Sequence, residues 1–136
     1  AILMGGSFLA LSRFSTSHQV GAVSAQMVSA LRRAQANAMT RYHDSPWGVY
    51  LNAPQRQFVL FKGASYAARD TAFDQSTAFA QALQLSNINL QGGGTEAVFT
   101  RVTGETANSG SFQLTDPANA AIVTFNLNLY GQINVQ

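Results

Sequence analysis

The chain has 136 residues, of which 46% are hydrophobic and 10% are charged, with a formal net charge of +2 and no cysteine. This length suits one domain with a hydrophobic core. The absence of cysteine excludes a disulfide framework, a thiolate metal site and a thiol nucleophile. Charged residues usually make up about 25% of a soluble domain, so this surface is polar but weakly charged. Such a surface is more typical of an extracellular or assembled protein than of a cytosolic enzyme, and the small net charge is weak support for nucleic-acid binding.

The chain starts with an apolar segment, residues 1–11, that contains no charge. Its large side chains point all round a helix, so it requires burial in lipid or in protein. It is shorter than the roughly 20 apolar residues of a membrane span and lacks the basic region of a signal peptide. We expect it to be the C-terminal half of an apolar segment whose beginning precedes Ala1. The residues expected to pack in a membrane or filament core are Ile2, Leu3, Met4, Phe8, Leu9 and Leu11.

An amphipathic pattern follows the apolar segment. Apolar residues recur at steps of three or four, the spacing of one helix face. Alanine is abundant and proline is absent up to Pro46, which ends the pattern. One continuous helix over residues 1 to about 43 is therefore predicted, roughly 65 Å long. The stripe predicted to pack against a sheet consists of Val20, Val23, Met27, Leu31, Ala34 and Ala38.

Short strands and turns account for the rest of the chain. Alternating or apolar runs predict strands at 47–52, 57–62, 84–91, 97–103, 111–115, 121–130 and 132–135. Residues 63–82 have no clear period and are predicted as a loop with a helical turn. Six or seven antiparallel strands after one helix predict an α+β fold, in which the C-terminal half of a long stalk helix packs against an antiparallel sheet head. The expected division is a stalk segment, 1–19, and a head with the amphipathic half of the helix, 20–136.

Residues with the chemistry of a catalytic or metal site are few. His18, His43, Asp44 and Ser45 are the residue types of a triad, but neighbours in one turn do not form that geometry. Two histidines without cysteine make a poor zinc site. The glycine run 92–94 lacks the lysine and the following helix of a phosphate loop. We therefore predict no enzyme activity, no metal and no cofactor. A calcium site at Asp44, Asp70 and Asp74 is the weaker alternative, because the spacing of a calcium loop is missing.

Several stretches resemble the type IV pilin and pseudopilin superfamily, and in particular the minor pseudopilins of the H type. Residues 28–38 (VSALRRAQANA) resemble the end of the stalk helix in that family, and 47–51 (WGVYL) and 58–61 (FVLF) resemble its first two head strands. The sequence from Val98 to Gly131-Gln132-Ile133 resembles its closing pattern of spaced glycines and apolar residues. The resemblance covers nearly the whole chain, and the order of the pieces carries it.

The resemblance implies a structural subunit, pilin or pseudopilin, of a type IV pilus-like filament that assembles through its apolar N-terminal helix. The implied partners are copies of itself or other pilins, and the inner membrane before assembly. The implied location is a surface pilus or a periplasmic pseudopilus. Family members start with a methylated residue, produced by prepilin peptidase, and have glutamate at the fifth position. Gly5 stands at the fifth place here, so neither feature is assigned to a residue of this chain.

The resemblance also permits an alternative, because some H-type minor pilins of competent bacteria are thought to bind DNA. A type II secretion minor pseudopilin is the other alternative. A basic path for DNA phosphates would require several cations to converge. The competing interpretation is a scattered, solvated surface, which the lack of interleaved aromatic residues favours. The six candidate DNA-binding residues are Arg32, Arg33, Arg41, Arg56, Lys62 and Arg101.

Overall fold

The architecture comes from a computed structural model, which describes residues 2–92 and 94–136, with side chains described from Val20 onward. One helix, α1, spans Ile2–Met39. At 1.5 Å per residue its length is about 57 Å. Its C-terminal half is embedded in the head, where it contacts strands of two sheets. The order of elements in the described residues, one α-helix and then strands with two short 3-10 turns, confirms the predicted α+β class.

The helix ends earlier than the predicted position near His43. The Thr40 side chain donates a hydrogen bond back to the carbonyl oxygen of Ala36 at 2.8 Å. Arg41 then adopts a left-handed conformation, with φ of 60°, and the chain turns. The spacing pattern carries no signal for this end, because the residue in the left-handed position is arginine and not the usual glycine. A 3-10 turn, Tyr42–Asp44, completes an elbow between the helix and the first strand.

Eight strands form two antiparallel sheets, where one sheet of six or seven strands was predicted. Sheet A has the order β3-β2-β1-β5 and sheet B the order β4-β6-β7-β8. Pairing between strands distant in sequence decides this division, and apolar alternation within single strands does not report it. The strands are β1 Trp47–Asn52, β2 Gln57–Lys62, β3 Asp70–Ala78, β4 Gln84–Leu90, β5 Glu96–Phe99, β6 Gly110–Asp116, β7 Ala121–Leu127 and β8 Ile133–Val135.

Strand β3 corrects the prediction of a loop over 63–82. It lies at the edge of sheet A and pairs with β2 alone. Most of its residues are exposed, and Phe73 is its one apolar side chain larger than alanine. An edge strand that is polar on most positions has no apolar alternation, so the pattern that predicts strands is absent from it.

Two other predicted strands are too long. The strand predicted over 97–103 ends at Phe99, because Val102, with φ of 77°, turns its N–H toward the carbonyl oxygen of Ala38 at 2.9 Å. The strand predicted over 121–130 ends at Leu127, because Asn128 begins a turn closed by the N–H of Gly131. The first segment leaves sheet A to contact the end of α1, and the second leaves sheet B to form a turn.

A bulge in β4 explains why two apolar residues of opposite parity both face the core. Leu85 and Leu90 are buried, although five positions separate them. The β4–β6 register shifts between Ser86 and Asn89, and Asn87 has φ of 49°. An extra residue in one strand reverses the side that later residues face. The sequence predicts Leu85 inward together with Ile88 or Leu90; Leu90 is buried and Ile88 is partly buried against the core.

The outer face of sheet A is covered by the connection between β2 and β3. Val59 and Phe61 are buried but lie outside the main core cluster. The Tyr66 ring packs edge-on against Phe61, with centroids 5.7 Å apart, and stacks on Tyr50 at 3.9 Å. The backbone N–H of Tyr66 donates to the Glu96 carboxylate at 2.6 Å. This connection therefore forms a small second layer on the sheet.

Candidate assembly surfaces

The predicted packing stripe of α1 faces the inside of the head. Its six residues belong to the main core cluster, together with apolar residues of both sheets. The helix contacts β1, β2 and β5 of sheet A and β6 and β7 of sheet B. The exposed fraction of every stripe residue is below one tenth, and it is zero for three of them. The stripe consists of Val20, Val23, Met27, Leu31, Ala34 and Ala38.

The opposite side of α1 is exposed between two grooves. The first groove, of about 360 Å³, separates α1 from β2 and β3. The second, of about 470 Å³, separates α1 from the edge strand β8. Ala25 and Ser29 border both grooves, so their small side chains form a ridge that separates the two grooves. This part of the helix offers backbone and short side chains to an approaching molecule.

The apolar residues expected to act in assembly lie outside the described side chains. The structure continues the backbone of α1 through them, as one helix from Ile2. Their packing in a filament or a membrane stays a prediction. They are Ile2, Leu3, Met4, Phe8, Leu9 and Leu11. In the described part of the chain, no helix combines the length and the hydropathy needed to cross a membrane.

The cations proposed for DNA occupy several places. Arg32 borders the β8 groove, whereas Arg33 borders the β3 groove and donates to the Gln75 side chain at 3.0 Å. Arg41 belongs to the elbow. Arg56 donates to the carbonyl oxygen of Leu83 at 3.1 Å.

The remaining two cations already face carboxylates. Lys62 lies 3.7 Å from Asp70 and 4.7 Å from the centre of the Phe73 ring. Arg101 forms an ion pair with Asp44 next to the elbow. Exposed ion pairs of this kind contribute little to stability, but each reduces the charge offered to a phosphate. DNA binding by the six cations remains a prediction.

Asp44, Asp70 and Asp74 each face a different cation. Asp44 pairs with Arg101, Asp70 with Lys62, and Asp74 accepts two hydrogen bonds from Arg69 Nε at 2.9 and 3.1 Å. Across residues 20–92 and 94–136, no three acidic or histidine side chains converge as metal ligands. The weaker calcium alternative therefore finds no shared site among these side chains.

The side chains considered for catalysis have other contacts. The His43 ring lies against the rings of Tyr42 and Phe73, with centroids 4.3 and 4.5 Å away. The Ser45 hydroxyl donates to the carbonyl oxygen of Pro46 at 2.8 Å. The side chain of His18 lies outside the described residues, as does Gly93 of the glycine run. A strand, β5, and not a helix follows that run.

Two surfaces were missed by sequence reasoning. One is the free edge of β3 beside its groove, whose Gln, Ser and Thr residues carry no strand signal. The other is an apolar patch at the end of α1. Beside it, Gln35 Nε2 connects the loop after β5 to the turn after β7, because it donates to the carbonyl oxygens of Gly104 and Tyr130, both at 3.0 Å. The side chains of this patch are exposed by 43 to 63% of their surface, although the sequence predicts helix or strand at each position. They are Met39, Val102, Leu129 and Tyr130.

Comparison with known proteins bears on the fold. No family model matches the sequence, and no curated protein matches it. Among solved structures, the minor pseudopilin EpsH from the Type 2 Secretion System of Vibrio cholerae is similar, with a TM-score of 0.64 and 10% sequence identity. The similarity covers 87% of this chain and 96% of that chain. At this identity it establishes the fold alone: a pseudopilin-like α+β fold, with one N-terminal helix packed against antiparallel sheets.

Proposed function

We propose that this protein is a structural subunit, pilin or pseudopilin, of a type IV pilus-like filament. The observation that carries the proposal is one continuous helix, of which only the C-terminal half belongs to the described core of the head. From Val20 to Ala38, the apolar stripe of α1 is built into the core of the head. From Ile2 to Gln19, the same helix continues for roughly 27 Å before that stripe begins.

The composition of the first segment supports an assembly role. A helix that is apolar on all sides is stable where lipid or protein surrounds it, and residues 1–11 have no charge on any side. We propose that this segment lies in the inner membrane before assembly and then packs against neighbouring stalks. The sheets of the head would form the outside of the filament.

The finer assignment is also a proposal. The similar solved structure is a minor pseudopilin of a type 2 secretion system, which favours a periplasmic pseudopilus over a surface pilus. The N-terminal processing and methylation of such subunits would precede assembly. The mechanism would be mechanical, with the described side chains holding the subunit's shape and no reaction taking place on them.

Electron microscopy of filaments sheared from the producing cells, with mass spectrometry of their subunits, tests the proposal. We expect this chain in the filaments, or in the membrane fraction at low copy for a minor subunit. Leu9→Glu places a charge in the apolar segment and should remove the chain from filaments without changing the head. Gln26→Glu, on the exposed side of α1 within the head, is the matched control.

The two variants separate assembly from folding. The circular dichroism spectrum and the thermal unfolding midpoint should be the same for Leu9→Glu, Gln26→Glu and the unchanged protein. Incorporation of Leu9→Glu into filaments at the same level as the unchanged protein would contradict the assembly role of the apolar segment. A monodisperse monomer with residues 1–11 intact would contradict the filament proposal itself.

A further inference from the structure

Strand β3 leaves one side of its backbone without a partner strand. In sheet A it pairs with β2, and in residues 2–92 and 94–136 nothing pairs with its other side. It spans nine residues; its pairing with β2 shifts register between Leu60 and Lys62 and is regular over residues 75–78. Proteins usually protect such edges with proline, lysine, bulges or a covering segment. The stretch from Gln75 to Ala78 has no charge and no proline.

The pairing register identifies the backbone groups that point outward. Phe79 donates its N–H to the carbonyl oxygen of Arg56 at 3.0 Å, which makes these two residues a hydrogen-bonded pair. In an antiparallel ladder, bonded and non-bonded pairs alternate. Counting back along the register, Thr77 and Gln75 bond to β2. Ser76 and Ala78 therefore direct their N–H and C=O groups to the free edge.

The groove beside this edge would receive side chains of an added strand. Gln75 and Thr77 border it on one side, and α1 borders it on the other, with Leu60 between them. On the helix side, the short side chains of Ala25, Ser29 and Ala30 leave room for apolar side chains, and Gln26 and Arg33 line the rest of that side. A strand paired with β3 would place alternate side chains in this groove, because successive side chains point to opposite faces.

Arg33 gives the groove a charge preference. Its guanidinium donates to the neutral Gln75 amide oxygen at 3.0 Å, and the three ion pairs in the described part of the chain do not include it. Arginine binds carboxylates more strongly than neutral acceptors. Arg32, its neighbour, borders the β8 groove instead. Arg33, at the Gln75 end of the β3 groove, therefore favours an acidic residue at that end of an added strand.

We propose that β3 accepts an added strand from a partner protein, and that this strand is apolar on its helix-facing side and carries a carboxylate opposite Arg33. Main-chain hydrogen bonds to Ser76 and Ala78 would supply affinity, and the groove with Arg33 would supply specificity. This surface is independent of the filament proposal, because it uses the head alone.

The test titrates the full-length protein, in mild detergent, with the peptide acetyl-Ser-Val-Thr-Val-Thr-Glu-Thr-amide. Paired antiparallel to β3, its valines face the groove and its glutamate reaches the Gln75 end. The peptide with lysine in place of glutamate is the charge control. Nuclear magnetic resonance follows the β3 amides, and hydrogen exchange at Ser76 and Ala78 should slow on binding.

Two pairs of variants keep the test independent of folding. Ser76→Pro removes an outward N–H, which an edge strand tolerates, and should abolish binding. Val135→Pro is its control on β8, since the mutual hydrogen bonds of Thr124 and Gln136 leave the Val135 N–H outward. Arg33→Glu should weaken binding by about tenfold or more, as loss of a charge-assisted bond implies, whereas Arg32→Glu should not.

The outcomes decide the proposal. Perturbation of β3 amides by the glutamate peptide, lost in Ser76→Pro, weakened about tenfold in Arg33→Glu and kept in both controls, supports it. Equal binding of the lysine peptide overturns the charge preference. Absence of β3 perturbation overturns strand addition, and a dimer lost in Ser76→Pro assigns the edge to a second copy instead.

Discussion

Trp47 donates its indole N–H to the backbone carbonyl oxygen of Tyr42 at 2.9 Å, and the two rings stack with their centroids 5.5 Å apart. This pair closes the elbow between α1 and β1. Three residues of the elbow, Arg41, His43 and Asp44, have positive φ, which costs energy for side chains larger than glycine. The indole hydrogen bond and the ring contact offset that cost.

Replacing Trp47 with phenylalanine should therefore destabilise the head. The change removes the hydrogen bond to Tyr42 and leaves its carbonyl oxygen without this donor, at a cost of about 1–3 kcal/mol. Urea unfolding followed by circular dichroism measures the change. Tyr42→Phe is the control, because the acceptor is a backbone atom and the ring stays. Equal stability of Trp47→Phe and the unchanged protein would show that the elbow does not depend on this bond.

Gln35 joins the helix to the loop after β5 and to the turn after β7. Its amide Nε2 donates to the carbonyl oxygens of Gly104 and Tyr130. Gln35→Ala should lower the free energy of unfolding by about 0.5–1.5 kcal/mol, because the part-buried Gly104 oxygen loses its donor whereas water can replace the donor at the exposed Tyr130 oxygen. Faster amide exchange should be confined to these loops. Gln26→Ala, on the exposed side of α1, should leave both measurements unchanged; equal effects would contradict the bridging role of Gln35.

The elements predicted correctly from sequence are those whose burial follows a short period. The stripe from Val20 to Ala38 repeats every three or four residues because one side of α1 is buried. Strands β1 and β2 match their predicted bounds, and Trp47, Val49 and Leu51 of β1 are buried as alternation predicts. The α+β class follows from these elements alone.

The features that sequence did not predict depend on contacts distant in the chain or on unusual backbone. Nothing local reports that β4 joins β6 and not sheet A. The left-handed Arg41 ends α1 without a glycine signal. The β3 groove exists because β3 lies beside α1, which brings Gln75 into contact with Arg33 although 42 positions separate them in the chain. Candidate surfaces therefore required the structure, whereas the buried stripe of α1 and strands β1 and β2 followed from the sequence.

The arrangement of cations predicts weak and limited DNA binding. Lys62 and Arg101 face carboxylates, and Arg56 is directed to a backbone carbonyl. Of the six candidate cations, this leaves Arg32, Arg33 and Arg41 to meet phosphates, which limits their slope of log affinity against log salt to about three. Fluorescence anisotropy with a duplex oligonucleotide measures this slope.

Neutralising those three arginines to glutamine should remove the binding, and Lys62→Gln should leave it nearly unchanged. A slope near six, or an equal loss in Lys62→Gln, would instead indicate that all the cations act together on one DNA path.

Gly48 is required by close packing on the outer face of sheet A. A methyl group there would lie 2.6 Å from the carbonyl oxygen of Ala97 and 2.7 Å from Phe61 Cζ. Because β1 and β5 are paired at this point, relieving the two contacts requires the strands to separate and the Phe61 ring to move. Gly48→Ala should cost about 1–3 kcal/mol, the range for overpacking a core.

Gly21 is the matched control, since a methyl group on it meets nothing within 4 Å and it lies within α1. Gly21→Ala should raise the free energy of unfolding by up to about 1 kcal/mol, because alanine is the better helix former. Chemical denaturation of both variants, with the Tyr66 ring signals as a local probe, separates the two effects. The change in the free energy of unfolding should therefore be negative for Gly48→Ala and positive for Gly21→Ala. A stabilised Gly48→Ala would mean that the connection over sheet A adapts to the added volume.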